Sequence, residues 1–360
     1  MATEQHFVTD IAIPPGEYLE EVLEDMGLNQ AELARRMGRP AQAVNEIIKG
    51  DKAITPETSI QLEKVLGVPA HIWSGLESEY RLIKASQVEA ENAKKEEKLL
   101  VDFPYLELSK LELVEKTRDP LTKVQSLRRF FGVSSLFNLK GVRSFSPAFR
   151  QSTNNEINHE ALASWLRAGA LIANQIECDE YCKDTLLSKI SDIRELTLKK
   201  EPNDFFPKLE SLLQQCGIAL VVIPHFKKTY TTGATFWVKK SKGVIMMSLR
   251  GGWADIFWFS LFHELGHILL HDKRHTFLEN DTHSSEWKKQ ENEADKFSQI
   301  TLIPEKEFRE FKLLGNFSYP SIKLFSKNIG VSPGIVTGRL QHEKLMSYKF
   351  HVGRIRYKWK

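Results

Sequence analysis

The sequence predicts a mainly α amino-terminal domain built on a helix-turn-helix, followed by a larger domain in which a short strand precedes a metal-binding helix. Three observations carry this prediction. Residues 14–84 hold short amphipathic segments, each opened and closed by capping signals. The pentapeptide His263-Glu264-Leu265-Gly266-His267 sits inside the apolar stretch 255–271. Further along, the acidic cluster Glu291-Asn292-Glu293-Ala294-Asp295 opens another amphipathic segment.

Pro14-Pro15-Gly16 precedes a helical pattern over Glu17–Met26, which Gly27 ends. Asn29 caps a helix over Gln30–Met37, stopped by Gly38, and Pro40 opens a third over Ala41–Lys49, stopped by Gly50. Thr55 caps a fourth, with Pro56 at its first position. The turn Gly38-Arg39-Pro40 makes the second and third a helix-turn-helix, whose second helix enters the major groove. Operator DNA is therefore the expected partner. Gln42 and Asn45 suit base edges, because amide side chains pair bidentately with adenine. Gln30, Arg39, Lys49 and Lys52 suit phosphates, which set position but carry no sequence information. Residues 28–52 hold five Lys/Arg against three Asp/Glu. That mild charge predicts modest affinity per protomer and so a homodimer on two half-sites.

The reading divides the chain into a helix-turn-helix domain (1–84), a helical linker region (85–150), a second domain (151–345) and a basic tail (346–360). The linker region begins with a charged Lys/Glu helix over 84–100, continues with a helix that includes Val124–Phe131 and ends in a loop rich in Ser and Phe. Residues 159–200 read as helical. Gly243–Leu249 is a short apolar run, a buried or edge strand. An edge strand beside a metal helix is where an extended peptide adds by backbone hydrogen bonds. Residues 321–340 read as a structural helix pair. The tail from Lys344 to Lys360 carries six Lys/Arg and no acid, interleaved with Tyr348, Phe350, Tyr357 and Trp359. It is expected to close the second domain as an amphipathic strand rather than to contact nucleic acid.

Two histidines four apart on a helix share a face, so His263 and His267 can reach one ion. Glu264 then lies beside a water on the metal, placed to take its proton and pass it to a leaving amine. Polar groups in so apolar a helix need a reason, and a metal supplies one. Glu291 and Glu293 compete as third ligand. Spacing favours Glu291, because Asp295 lies one turn on and can orient a ligating histidine through its second ring nitrogen. His271 is too far along a straight helix to join the same ion, and reads as a residue behind the ligands or at the helix terminus. A His2Glu set with an open position is a catalytic rather than a structural zinc arrangement, although other divalent metals bind such sites.

Residues 150–345 resemble the ImmA/IrrE family of metallo-endopeptidases. The resemblance rests on Gly233–Trp237, Ser248-Leu249-Arg250, the run His263–His271, Glu291–Phe297 and Leu302-Ile303-Pro304, in that order. It implies an α+β, thermolysin-like zinc metallopeptidase core with a glutamate third ligand. Characterised members cleave repressor-type DNA-binding proteins. The family's usual Phe-Ala after the acidic cluster is Phe297-Ser298 here. The amino-terminal stretch resembles the Cro/XRE-type helix-turn-helix of HigA-family antitoxins, on Pro14–Gly16, Leu28–Ala34, Val44–Gly50, Ile54–Thr58, Trp73 and Tyr80.

At 360 residues with net charge +3 and 41% hydrophobic content, the chain is expected to be multidomain and globular. It has no long charge-free apolar stretch for a membrane span and no secretory pattern at its start, so a cytoplasmic location is expected. Three cysteines, Cys178, Cys182 and Cys216, fit a reducing compartment, with Cys178 and Cys182 read as ordinary thiols on a helix. The leading expectation is a regulator whose zinc endopeptidase domain cuts its own chain or a repressor or antitoxin. The alternative is an antitoxin and autorepressor whose larger domain binds a toxin or a ligand, with zinc structural or vestigial.

Overall fold

A computed structural model describes residues 11–142, 157–271, 277–278 and 285–358. Most of the expected Ser- and Phe-rich loop, and Trp359, lie outside the described residues. The chain divides into two compact units, Met1–Glu97 and Lys98–Lys360.

Among its described residues the first unit is helical: α1 (Pro15–Asp25), α2 (Gln30–Met37), α3 (Ala41–Ile48), α4 (Pro56–Leu66) and α5 (Ala70–Glu96). The Asn29 side chain accepts from Glu32 N at 2.8 Å and Thr55 Oγ1 from Thr58 N at 3.3 Å, so both caps satisfy helix-start donors. Gly38 closes α2 at φ +65°, a left-handed turn that glycine adopts without strain, and so sets up α3. Leu19, Leu33, Val44, Ile47, Leu62 and Trp73 form the core. The sequence reading ended this domain at 84, but α5 runs unbroken through that position to Glu96.

The second unit opens with α6 (Tyr105–Lys110), α7 (Pro120–Phe131), α8 (His159–Gln175), α9 (Lys183–Glu195) and α10 (Pro202–Gln215). A four-stranded sheet follows, formed by β1 (Ile218–Val222), β2 (Gly233–Lys239), β3 (Lys242–Met247) and the two-residue β4 (Phe277–Leu278), in the order β1-β3-β2-β4. β1 pairs with β3 in parallel; β2 is antiparallel to β3 and β4. Helix α11 (Ala254–Leu270) comes between β3 and β4, and α12 (Ser285–Leu302), α13 (Glu305–Leu314), α14 (Tyr319–Ile329) and α15 (Pro333–His342) complete the unit. Helices around one small mixed sheet make this an α+β domain.

Two expectations need correction. The run at 243–249 is the central strand β3, hydrogen-bonded on both sides, and so offers no edge to a peptide. Central and edge strands share the same apolar pattern, so the sequence does not separate them. Cys178 lies in the connection between α8 and α9, and Cys182 precedes α9 as its N-cap, so their spacing of four does not reflect a helix.

The tail closes the second unit through one bridge rather than a long strand. Trp253 pairs with Arg356, Tyr357 N donates to Gly252 O at 2.8 Å, and the Tyr357 hydroxyl accepts from Trp258 Nε1 at 2.7 Å. Arg354 makes a bidentate ion pair with Asp255 in the first turn of α11, at 2.8 and 3.0 Å, with each side chain 7% exposed. Removing one member strands a buried charge, which costs about 3–5 kcal/mol. Arg354→Met is expected to lower unfolding free energy by about that amount in denaturant melts. Adding Asp255→Asn should recover part of the loss.

Candidate metal centre and nucleic-acid interface

Helix α11 is buried along nearly its whole length, with Ile256 and Leu270 its exposed large apolar residues. His263, Glu264 and His267 are 4%, 2% and 2% exposed. Gly266 lets α12 approach closely: a Cβ there would stand 3.0 Å from Ala294 Cα. That approach brings the acidic cluster of α12 onto the histidine face. His263 Nε2 and His267 Nε2 are 2.9 Å apart, and each lies 3.3 Å from a Glu291 carboxylate oxygen. Among the described residues, His263, His267 and Glu291 are the group whose ligand atoms all fall within 4.8 Å of one another.

The surrounding hydrogen bonds fix which ring nitrogens carry protons. Asp295 Oδ1 lies 2.8 Å from His263 Nδ1. An ionised carboxylate only accepts, so Nδ1 of His263 donates, and in the neutral ring its Nε2 presents a lone pair. Glu293 Oε2, 3.1 Å from His271 Nε2, imposes the same logic on His271. Neutral His271 then accepts at Nδ1 from His267 Nδ1–H at 2.9 Å, leaving His267 Nε2 also as a lone pair. Two lone pairs and a carboxylate converge on one buried point, and a buried Glu291 oxygen has no hydrogen-bond partner. This donor set fits a divalent metal.

The titration behaviour has the same cause. Burial disfavours a charged His263, but hydrogen bonds to Asp295 and Glu291, with the charges of Glu264 and Glu291, outweigh it and push its pKa up to about 11. Burial pushes His267 down to about 4. Burial would raise Glu291, yet the two imidazoles 3.3 Å from its oxygens outweigh it and hold it at about 2. The site favours positive charge; the proton on His263 supplies it, and a metal ion binding there would displace that proton.

Glu264 is positioned from the sheet. Its Oε2 accepts from the Thr235 hydroxyl on β2 at 2.6 Å. A Cβ on Gly233 would stand 2.4 Å from Glu264 Oε1, so only glycine leaves the carboxylate its place. Sequence reasoning missed Thr235 as a positioning residue and singled out its segment only through the family resemblance. Glu293, a rival ligand by sequence, instead bonds His271, which caps α11.

In the first unit Gln42 is exposed at the start of α3, and its amide donates to Glu46 Oε1 at 2.9 Å. Asn45, one turn on from Ala41, is half-buried. Arg39 Nε donates to Gln61 Oε1 at 2.6 Å, so its guanidinium is held against α4. Lys49 is exposed, Gln30 is half-buried, and exposed Lys52 lies 3.8 Å from Glu46. Glu46, not singled out from sequence, thus touches both a candidate base reader and a candidate phosphate contact. Among the described residues, no helix is long and apolar enough to cross a membrane.

Fold and site together define a helix-turn-helix protein with a metallopeptidase-family domain. Residues 19–73 match the helix-turn-helix family, and residues 219–341 match the IrrE N-terminal-like domain of the M78 peptidases. Virulence-associated protein I of Dichelobacter nodosus is 36% identical over 77 residues, which are 21% of this chain and 71% of that protein. The HTH-type transcriptional regulator YddM of Escherichia coli K12 is 29% identical over 73 residues, 20% of this chain and 78% of that one. The solved structure of Pseudomonas aeruginosa antitoxin HigA with the higBA promoter is 32% identical, covers 22% of this chain and 89% of its own, and has a TM-score of 0.22. The chain belongs to the HigA/XRE-type helix-turn-helix regulators and carries an IrrE-like M78 domain behind that module.

Asp295→Ala removes the acceptor that fixes the His263 tautomer, and such losses weaken metal binding about 10–100-fold. Competition with a chromogenic chelator is expected to read that loss, and to find affinity nearly unchanged in Thr235→Val.

Proposed function

We propose that the protein is a transcriptional regulator whose second domain is a zinc endopeptidase that cuts its own chain or a partner repressor or antitoxin. The observation that carries the reading is the buried convergence of His263 Nε2, His267 Nε2 and Glu291, with Glu264 beside it and held by Thr235. His263, His267 and Glu291 would hold the ion, and zinc would supply Lewis acidity toward a peptide carbonyl and toward the attacking water. Glu264 takes a proton from that water and delivers it to the departing amide nitrogen. The C–N bond breaks and water is added across it, leaving a carboxylate and an amine. Asp295 and His271 keep the ligating rings in the required tautomers.

The first unit would bind operator DNA as a homodimer in the cytoplasm, with Gln42 and Asn45 at base edges and Gln30, Arg39, Lys49 and Lys52 at phosphates. A solved relative at 32% identity is antitoxin HigA with the higBA promoter, which supports the DNA half of the reading. The same relative favours a second reading: an antitoxin and autorepressor whose larger domain holds a toxin, with proteolysis as the route by which the antitoxin is removed.

Intact mass spectrometry of zinc-loaded protein over time, beside Glu264→Gln, tests the enzymatic half. Fragments of the chain itself, or of a regulator encoded beside it, are expected with the native protein and not with Glu264→Gln. Absence of cleavage of all these substrates would reject it. For the DNA half, Gln42→Ala and Asn45→Ala are each expected to cost about 1–3 kcal/mol at one base position of the operator, whereas Lys49→Ala should weaken all sequences alike and reduce the salt slope by about one. Unchanged base preference in both amide variants would reject the assignment.

A further inference from the structure

The basic aromatic tail, which the proposed chemistry does not use, lines a pocket of about 400 Å³ with residues of α11, α12 and α15. Its walls include Ile256 and Phe259 of α11, Gln299 and Ile303 of α12, Ile335 of α15 and Tyr348 of the tail. Two features tie it to the candidate centre. Phe259 lies four residues before His263 on α11, and Gln299 four residues after Asp295 on α12, so on both helices the wall is the next turn of the same face. The pocket also includes Ser260 and Thr232, whose hydroxyls are 3.4 Å apart, and Thr232 immediately precedes the Gly233 that accommodates Glu264.

The chemistry of the walls selects what enters. They are mostly apolar, and the volume matches sites that bury a small ligand or a large side chain with its adjoining backbone. Of the charged groups in the lining, Asp255 pairs with Arg354 and Arg339 Nη2 with Glu343, at 2.8 Å in both cases, while Arg339 Nη1 is buried without a hydrogen-bond partner among the described residues. A charged side chain would lose its hydration against these mostly apolar walls, and an apolar one would not.

We infer that this pocket is a specificity subsite for a large uncharged apolar side chain of the peptide substrate, aromatic or branched aliphatic, and that the carboxy-terminal tail is part of it. The inference rests on the peptidase reading and assigns that site its substrate class. The occupant is a peptide because the pocket continues from the turns that carry His263 and Asp295. Tyr348 and Ile256, 65% and 37% exposed, form its rim and act as specificity-determining residues.

The test uses full-length zinc-loaded protein and two readouts. In the first, quenched-fluorescent peptide pools fixed at one position as Phe or Leu are compared with pools fixed as Asp or Lys. The apolar pools are expected to be cut at least about tenfold faster in kcat/KM, with the preference falling about tenfold in Ile256→Asp and in Tyr348→Asp. In the second, which needs no cleavage, Glu264→Gln binds a dye-labelled acetylated and amidated hexapeptide with a central Phe, followed by anisotropy beside its Asp counterpart. The Phe peptide is expected to bind at least about tenfold tighter, and Ile256→Asp introduced into Glu264→Gln should abolish the difference. Both substitutions are at exposed positions, and thermal melts confirm folding. Selective Phe binding without cleavage of any pool would reject the peptidase reading and retain an apolar peptide pocket. Equal binding of the two peptides, or selectivity that survives Ile256→Asp, would overturn the inference. So would displacement of neither peptide by a small apolar dye that itself occupies the pocket.

Discussion

Two imidazole nitrogens face each other 2.9 Å apart on a buried helix, a contact that needs positive charge between them, a shared proton or a metal ion. Much of the second unit serves that juxtaposition. Asp295 fixes one tautomer, and Glu293, acting through His271, fixes the other. Both acids and the third candidate ligand come from a single helix, so the packing of α12 on α11 at Gly266 brings in Glu291, Glu293 and Asp295 together. A buried carboxylate is costly by itself. Here the same charges that are expensive alone become the determinants of where a metal settles.

The sheet contributes through one hydroxyl and one missing side chain. Thr235 holds Glu264 and Gly233 leaves room for it, so β2 orients the proton carrier while α11 and α12 orient the ligands. This separation assigns metal affinity to the helices and proton transfer to the helix–sheet contact. The tail adds a third layer. Its Arg354–Asp255 pair anchors the first turn of α11, and its aromatic residue Tyr348 edges the neighbouring pocket. A stretch whose composition suggests a second nucleic-acid contact is instead spent on the wall of the domain.

Local chemistry made part of this legible in the sequence. The caps at Asn29 and Thr55 and the stop at Gly38 act within a few residues, so the boundaries of the helix-turn-helix could be read directly. The i, i+4 geometry that joins His263 to His267, and Glu291 to Asp295, is equally local. What escaped was non-local. Thr235 meets Glu264 across 29 residues and Asp255 meets Arg354 across 99, and no periodicity encodes either contact. The central position of β3 escaped because buried strands look alike whether or not both edges are paired. The cysteine spacing misled because a spacing of four also occurs in loops. His271 caps α11 and lies 2.9 Å from His267 through its Nδ1, a contact within one helical turn.

X-ray absorption of the purified full-length protein loaded with one equivalent of zinc tests the central claim most directly. The account expects a first shell of two imidazole nitrogens and carboxylate oxygen at about 2.0–2.2 Å, without sulfur. It also expects that signature to collapse in Glu291→Ala and to persist in Glu293→Ala. A sulfur-containing shell, or a two-imidazole signature that survives loss of His263 or His267, would contradict it.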